Sequence, residues 1–360
     1  MASPKSFFAN EPPFGGQLFT LLIGTIGALA FRASGIPGGS LSGAMAAVAL
    51  LSVPGKATTI GTPIRTLAMV LSGVSIGAAV TPETLRGVIT YPLSLLLMTV
   101  SSFVVTGIST AFLMKVTGWN KATSLLASTP GGFSAALVVA ASTNADVPRV
   151  VIVQMFRVFF LMAILPMIVI GSGVPLAAQA AHEVDPPLML IGLLFPAAAF
   201  GWLLDRRKIA GGMFLGVMAV SGLAHGIGFA PGRPHDIVIL ASQVLIGSWI
   251  GSRFVGFNWR SLGSMLVPAL GSMVTTLAVA TFFAFITSRL LGFSFGTTMV
   301  AFSPGAFEAM TLLAFALGLD PLFAVAHHLW RLVIMTFAIP ILVRYWLQDS
   351  MVRAKSRTFR

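Results

Sequence analysis

The sequence predicts an all-α membrane protein with about ten transmembrane helices and two re-entrant hairpins, arranged as two inverted repeats. Of its 360 residues, 56% are hydrophobic and only 9% are charged, and the mean hydropathy of +0.94 is far above that of an ordinary soluble domain. Apolar stretches of about 17 to 25 residues recur along nearly the whole chain, and a helix needs about 20 residues to cross a bilayer. The third observation is an internal repeat.

The repeat divides the chain into two halves. Six apolar segments in the first half, at about 17–31, 40–53, 63–80, 91–114, 122–141 and 147–170, are followed by six similar segments in the second. Glycines, prolines and charges of the first half recur in the second at a nearly constant interval, which is a strong repeat signal because so many positions share it. We expect a first membrane repeat (1–171), a linker (172–187), a second membrane repeat (188–349) and a basic tail (350–360), with both repeats forming one membrane domain.

The orientation of the repeats depends on segments 122–141 and 296–315, which either cross the bilayer or re-enter on the same side. If they re-enter, sixteen Lys and Arg side chains lie on the cytoplasmic side and four on the other, against twelve and eight for full crossings. Because positive residues concentrate in cytoplasmic loops, the re-entrant arrangement is favoured. We therefore predict inverted repeats, both termini in the cytoplasm, and insertion in a bacterial inner (plasma) membrane.

Two helix-breaking sequences lie within apolar segments, Ser128-Thr-Pro-Gly-Gly-Phe133 and Phe302-Ser-Pro-Gly-Ala-Phe307. Proline removes a backbone donor, and glycine tolerates unusual dihedral angles. Irregular backbone at membrane depth persists only where protein buries it or where it lines a cavity, so the breaks are either packed kinks or a substrate or ion site. The predicted binding residues at the breaks are Thr129, Pro130, Gly131, Gly132, Phe133, Ser134, Ser303, Pro304, Gly305 and Phe307.

Charged side chains are expected close to these breaks. Glu308 is the only acidic residue expected within an apolar segment, and such residues usually carry ions or protons, although it could instead neutralise an arginine. Arg157 and Arg331 lie near the centres of their helices, and Gln154 and His328 precede them by three positions, so each pair shares a helix face. The arginines either recognise an anion or bind carbonyl groups freed by the breaks.

Two further duplicated features are better explained by structure than by function. Asp146 and Asp320 each stand just before a helix that has a proline near its start, which is typical of a helix N-cap. The segments 73–77 and 247–251 both begin and end with glycine, and this spacing lets helices approach closely.

Other chemistries are disfavoured. The formal charge of +12 comes from 22 Lys and Arg, which lie mainly between the apolar segments. This distribution is typical of a signal for membrane topology, so we predict no nucleic acid partner. The sequence contains no cysteine, and among its five histidines His327 and His328 are adjacent and so cannot converge on one metal. We predict neither a metal nor a cofactor, and the expected partners are the lipid bilayer and a small-molecule or ion substrate.

The pattern of Pro-Gly-Gly-Phe with Gln154 and Arg157, answered by Pro-Gly-Ala-Phe with His328 and Arg331, resembles the AbrB-type family of bacterial integral membrane proteins. The resemblance covers nearly the whole chain. It implies a hydrophobic region present twice and a distant similarity to the cation/proton antiporter and anion transporter assemblage. Family copies often place an acid and a Met after Pro-Gly-Gly, whereas here the first copy has Ala135-Ala136 and the second has Glu308 one position early.

The favoured function is secondary transport of a small solute, either an organic anion or an amino-acid-like molecule, with coupling to H⁺ or Na⁺ left open. The alternative is a membrane-embedded regulator that affects gene expression. An ammonia monooxygenase-type copper enzyme is disfavoured because the histidines do not converge, so no enzymatic activity is expected. Analogy with transporters suggests a homodimer.

Reporter fusions test the predicted topology. Fusions after Lys121, at Gly173 and after Arg207 should report the inside, the outside and the inside of the membrane, because a re-entrant segment returns the chain to its starting side. An inside signal at Gly173 would support six full spans in each repeat and parallel repeats.

Overall fold

The structure is a computed structural model that describes residues 12–36, 38–80, 90–131, 133–173, 184–209, 211–230 and 232–358. These residues form fourteen α-helices and no β-strand. The helices are α1 (Phe14–Ala33), α2 (Gly39–Ser52), α3 (Thr62–Gly77), α4 (Tyr91–Thr117), α5 (Lys121–Ser128), α6 (Phe133–Ala141), α7 (Val147–Gly171), α8 (Pro187–Arg206), α9 (Gly212–Gly226), α10 (Asp236–Gly251), α11 (Trp259–Leu291), α12 (Phe295–Phe302), α13 (Phe307–Ala316) and α14 (Pro321–Thr358).

Seven helical segments in the described part of the chain are long and apolar enough to cross a membrane. They are Phe14–Ala33, Tyr91–Thr117, Val147–Gly171, Leu188–Arg206, Asp236–Phe254, Trp259–Leu291 and Pro321–Tyr345. Helices α2, α9 and α13 are apolar but shorter. The described part of the chain is therefore helical and compatible with a multi-pass membrane protein, and the count of ten spans stays a prediction.

Both predicted breaks are present. The apolar segment expected at 122–141 is divided into α5 and α6, and the segment expected at 296–315 is divided into α12 and α13. The last helical residues, Ser128 and Phe302, are followed by Thr129 and Ser303 in extended conformation. Proline comes next in both sequences, and the residue before a proline is disfavoured in helical conformation. The sequence therefore ends both helices locally.

The short helices before the breaks begin with matching side-chain caps. Asn120 accepts a hydrogen bond from the backbone N–H of Thr123 through Oδ1 at 2.7 Å, and Ser294 accepts one from Thr297 through Oγ at 3.1 Å. Asn and Ser are favoured at this position because their side-chain oxygens satisfy amides that the first turn leaves unpaired. Each break is thus preceded by a helix of two turns whose start and end are both fixed by its sequence.

The chain divides into two compact units. The first unit comprises Met1–Val88, Met162–Trp259 and Glu308–Leu322, and the second comprises Ile89–Leu161, Arg260–Phe307 and Phe323–Arg360. All residues of the two breaks belong to the second unit. Most of the predicted linker lies outside the described residues, as do the side chains of the basic tail.

Close glycine contacts hold the helices of the first unit together. A Cβ added to Gly247 would lie 2.5 Å from the carbonyl oxygen of Leu41, and one added to Gly251 would lie 2.5 Å from that of Met45. Helices α2 and α10 therefore touch backbone to backbone, as small residues allow in membranes. A Cβ on Gly73 would lie 2.9 Å from Val217 in α9. The prediction that these glycine spacings serve packing is confirmed.

In the second unit, α4 lies along α14 and makes polar contacts with it. Ser94 Oγ is 2.8 Å from His327 Nε2, and Trp330 Nε1 donates to Thr99 Oγ1 at 2.9 Å. Helix α4 also contacts α11, where Ser109 Oγ and Ser272 Oγ are 2.7 Å apart. These contacts position α14, which carries the central arginine of the second break.

Candidate functional site

Arg157 binds the backbone of the first break. From α7, its Nη1 donates to the carbonyl oxygen of Ser128 at 3.2 Å and its Nη2 to that of Thr129 at 3.1 Å. These carbonyls lie at the end of α5, where the chain leaves the helix and no following helical N–H reaches them. Arg157 is only 3% exposed. Its guanidinium therefore satisfies backbone groups that lipid could not.

Arg331 does the same at the second break. From α14, its Nη1 donates to the carbonyl oxygen of Phe302 at 3.3 Å and its Nη2 to that of Ser303 at 3.2 Å. It is 2% exposed. The sequence left two roles open for the arginines. Direct hydrogen bonds support one of them, the binding of carbonyl groups freed by the breaks.

The polar residue one turn before each arginine also binds backbone. Gln154 Nε2 donates to the carbonyl oxygen of Leu126 at 2.7 Å, and His328 Nε2 lies 3.2 Å from that of Val300. His328 Nδ1 contacts Nη2 of Arg331, and a guanidinium can only donate. Nδ1 must then be the acceptor, so His328 carries its proton on Nε2 and orients Arg331.

Each arginine keeps one donor unused. Nε of Arg157 and Nε of Arg331 are buried and have no hydrogen-bond partner among the described residues. The ion pairs found in the described part of the chain involve other cations, namely Arg149, His225 and Arg233. Arg157 is also close enough to Arg331 for their charges to repel. Within the described residues, these two buried cations therefore lack both a counterion and a partner for one N–H each, and an anionic oxygen would supply both.

Gly131 brings the first break against the arginine of the second. A Cβ at this position would lie 3.6 Å from Arg331 Cγ and 3.8 Å from Arg331 Nε. Its φ of +72° belongs to the left-handed region, which glycine adopts without the steric cost that other residues incur. The Pro-Gly turn of the first break thus lies beside the unused Nε donor of Arg331, which binds the second break.

The hydroxyl groups at the breaks have different roles. Thr129 Oγ1 donates to the carbonyl oxygen of Leu125 at 2.7 Å, and Ser303 Oγ donates to that of Met299 at 2.7 Å. Both hydroxyls have committed their proton and could only accept from a ligand. Ser128 Oγ is buried without a partner among the described residues. Ser128 was not among the predicted binding residues, although it opens the Pro-Gly motif, so a candidate donor was missed there.

Other predicted residues also lie at the two breaks. Gly132 and the side chain of Ser134 are outside the described residues. The remaining ones are buried or half-buried: Pro130, Phe133, Pro304, Gly305 and Phe307.

Glu308 has electrostatic partners in the first unit. It is buried in the first turn of α13, where Arg253 and Arg65 interact with its carboxylate. The guanidinium of Arg253 also lies 4.5 Å from the ring centroid of Trp249. The two roles considered for Glu308, neutralisation of an arginine and ion or proton carriage, both stay predictions.

Asp146 and Asp320 cap helices, as predicted. Asp146 Oδ1 accepts from the backbone N–H of Arg149 at 3.2 Å, and Asp320 Oδ1 accepts from that of Leu322 at 2.9 Å.

His327 binds Ser94 and the carbonyl of Phe323, so its ring points to partners different from those of His328. Within the described residues, no group of three or more His, Cys, Asp or Glu could hold a metal ion.

Replacing the central arginines with lysine tests their binding of the breaks. Arg157→Lys and Arg331→Lys keep the charge but lose the planar fork that reaches two carbonyls. A hydrogen bond to a charged group contributes about 1.5 to 3 kcal/mol, so each variant should lower the thermal unfolding midpoint in detergent by several degrees. Arg149→Lys, at a solvent-accessible ion pair with Asp146, is the control and should unfold like the wild type. Equal midpoints for all three variants would contradict this role.

A family profile and a similar protein relate this chain to known sequences. A family profile described as "Transition state regulatory protein AbrB" matches residues 43–347. The chain is also similar to a protein of Bacillus subtilis (strain 168) named "Uncharacterized protein YhjN", with 25% identity over 293 residues that cover 76% of each chain. The profile includes both breaks and both central arginines. Since it matches well over half of the sequence, this chain belongs to the AbrB family of membrane proteins.

Proposed function

We propose that this protein is a secondary transporter for a small solute that carries a carboxylate, either an organic anion or an amino-acid-like molecule. The observation that carries the proposal is the pair of buried guanidinium groups, Arg157 and Arg331, each with an unused Nε donor and no carboxylate partner among the described residues. A carboxylate has lone pairs for several donors and would offset the repulsion between the two cations.

The energetic argument rests on burial. An unpaired charge inside a membrane protein is costly, and it usually marks a pathway for substrate or ions. The Nη groups of both arginines bind backbone carbonyls, which fixes each guanidinium in place. A rigid pair of donors loses little entropy when an anion binds, so preorganisation would favour recognition.

An inverted-repeat architecture would suit alternating access. The hydrogen bonds of Arg157 to Ser128 and Thr129 recur in the second half between Arg331 and the carbonyls of Phe302 and Ser303. Transporters built from inverted repeats bind substrate near the membrane midplane, where discontinuous helices meet. The recurrence of a break with its own arginine supports a duplicated origin of the two halves, with ten spans and two re-entrant hairpins.

Ion coupling would involve Glu308. A carboxylate in an apolar segment commonly carries protons or cations, and Arg253 and Arg65 offset its charge in the absence of substrate. The coupling ion would be H⁺ or Na⁺. The distribution of Lys and Arg supports the bacterial inner membrane with both termini in the cytoplasm, and a homodimer without enzymatic activity is the assembly we propose.

The family description supports one alternative. It names a regulatory protein, so a membrane-embedded regulator of gene expression is the second candidate. Transport of a metabolite could itself change gene expression, and a transport assay on the purified protein separates the two functions.

Uptake and counterflow in proteoliposomes test the proposal. The wild type should move at least one member of a panel of carboxylates, amino acids and ammonium. Arg331→Ala should reduce that rate at least about tenfold, because a buried charged donor contributes about 1.5 to 3 kcal/mol. Glu308→Gln should keep exchange of substrate but lose acceleration by an ion gradient. The solvent-accessible Arg149→Ala is the control.

Each assay needs a measure of folded protein, obtained by size-exclusion elution and the unfolding midpoint of the same preparation. If the wild type moves nothing under any gradient, or if Arg331→Ala and Glu308→Gln both transport like the wild type, the proposal fails.

A further inference from the structure

A cavity of about 240 Å³ opens in the first unit at the start of α2. Arg32 and Asp236, both exposed, line its mouth. Its interior is lined by the first residues of α2, including Ser40, and by Gln243 from α10. None of these residues belongs to the arginine pair or to the helix breaks, so the cavity needs an explanation of its own.

Two buried polar side chains in this cavity have no partner. Gln243 is 8% exposed and Ser40 is 6% exposed, yet neither side chain makes a hydrogen bond with another described residue. Because both side chains line the open cavity, their polar groups can bind water or a polar ligand there. The equivalent of Gln243 in the first repeat is Met69, an apolar residue of similar length, so packing alone does not require an amide there.

The start of α2 adds a partial positive charge. This helix has 14 residues, and its N-cap, Gly38, has a φ of +67° and provides no side-chain cap. The N–H groups of a helix's first turn point outward along the axis and attract anions. The N–H groups of Gly39, Leu41 and Ser42 already donate to backbone carbonyls. The cavity therefore combines the partial positive charge of the helix start with the Ser40 hydroxyl and the Gln243 amide.

Charge at the mouth also favours an anion. Asp236 forms an ion pair with Arg233, so its negative charge is already offset. Arg32 makes no ion pair among the described residues but interacts electrostatically with Asp236, so Arg32, Arg233 and Asp236 together carry a net positive charge. Part of the wall is apolar, with Ile239 and Leu240 on α10, which suits a short hydrocarbon chain better than a bare inorganic anion.

We propose that this cavity is a binding site for a small aliphatic carboxylate. The carboxylate accepts hydrogen bonds from the Ser40 hydroxyl and the Gln243 amide, while the start of α2 and Arg32 attract it electrostatically. The hydrocarbon chain contacts Ile239 and Leu240. The site does not depend on the proposed transport function, because none of its residues takes part in the arginine pair.

The side-chain amide of Gln243 gives a direct measurement. The chain has five glutamines, so labelling glutamine with ¹⁵N yields few side-chain signals, and Gln243→Met identifies the one that belongs to Gln243. The protein is placed in nanodiscs of zwitterionic lipid and titrated with propionate. The Gln243 signal should shift and saturate.

Arg32→Gln should raise the Kd for propionate, read from this signal, about tenfold or more, because propionate loses its charged partner. Arg289→Gln, which removes another exposed arginine outside the cavity, should leave that Kd unchanged. The unfolding midpoint of each variant confirms that the fold is retained.

Several outcomes would overturn the site. A Gln243 signal that does not move with propionate, or a Kd that Arg32→Gln leaves unchanged, excludes it. An equal or larger shift with inorganic phosphate, or one that appears only in nanodiscs of anionic lipid, would assign the cavity to a phosphate group. Because the readout is local to Gln243, a failure of transport in proteoliposomes would leave this test intact.

Discussion

Backbone carbonyl groups released by two helix breaks must find donors in apolar surroundings, and the second unit is built around this requirement. Proline ends α5 and α12 and leaves the carbonyls of their last residues without helical partners. Arg157 and Arg331 donate hydrogen bonds to these carbonyls from α7 and α14, and the carbonyl of Ser303 also accepts from the N–H of Gly305. Arginine suits the task because its planar fork reaches two oxygens and stays charged when buried.

The same geometry joins structure to function. Binding the breaks uses the Nη edge of each guanidinium and leaves the Nε donor without a partner in the described chain, so bracing and anion recognition need not compete. His328 fixes the orientation of Arg331, and Gly131 allows the opposite break to approach it closely. Binding of the freed carbonyls would use the Nη edge of each guanidinium, and recognition of an anion would use its Nε edge. An anion at these Nε edges would also reduce the repulsion between the two cations.

Local signals in the sequence predicted the features that depend on neighbouring residues. Pro130 and Pro304 ended helices as expected, and Asp146 and Asp320 capped them, because the determinants lie within a few positions. Features made by distant residues were not predicted. The interaction of Arg65 and Arg253 with Glu308, and the cavity that joins Ser40 to Gln243, bring together positions far apart in the sequence, whose proximity no local pattern reports. Ten spans were predicted, whereas seven segments in the described chain reach spanning length, since α2, α9 and α13 are short.

The most direct measurement of the central claim is ¹⁵N NMR of the arginine Nε–H groups in nanodiscs, with the signals of Arg157 and Arg331 identified by single lysine substitutions. Addition of a small carboxylate from the uptake panel should shift both signals together and with one affinity, while the signal of Arg149 stays in place. If the Arg157 and Arg331 signals do not respond at saturating carboxylate, the arginines serve only to hold the breaks, and the carboxylate site between them does not exist.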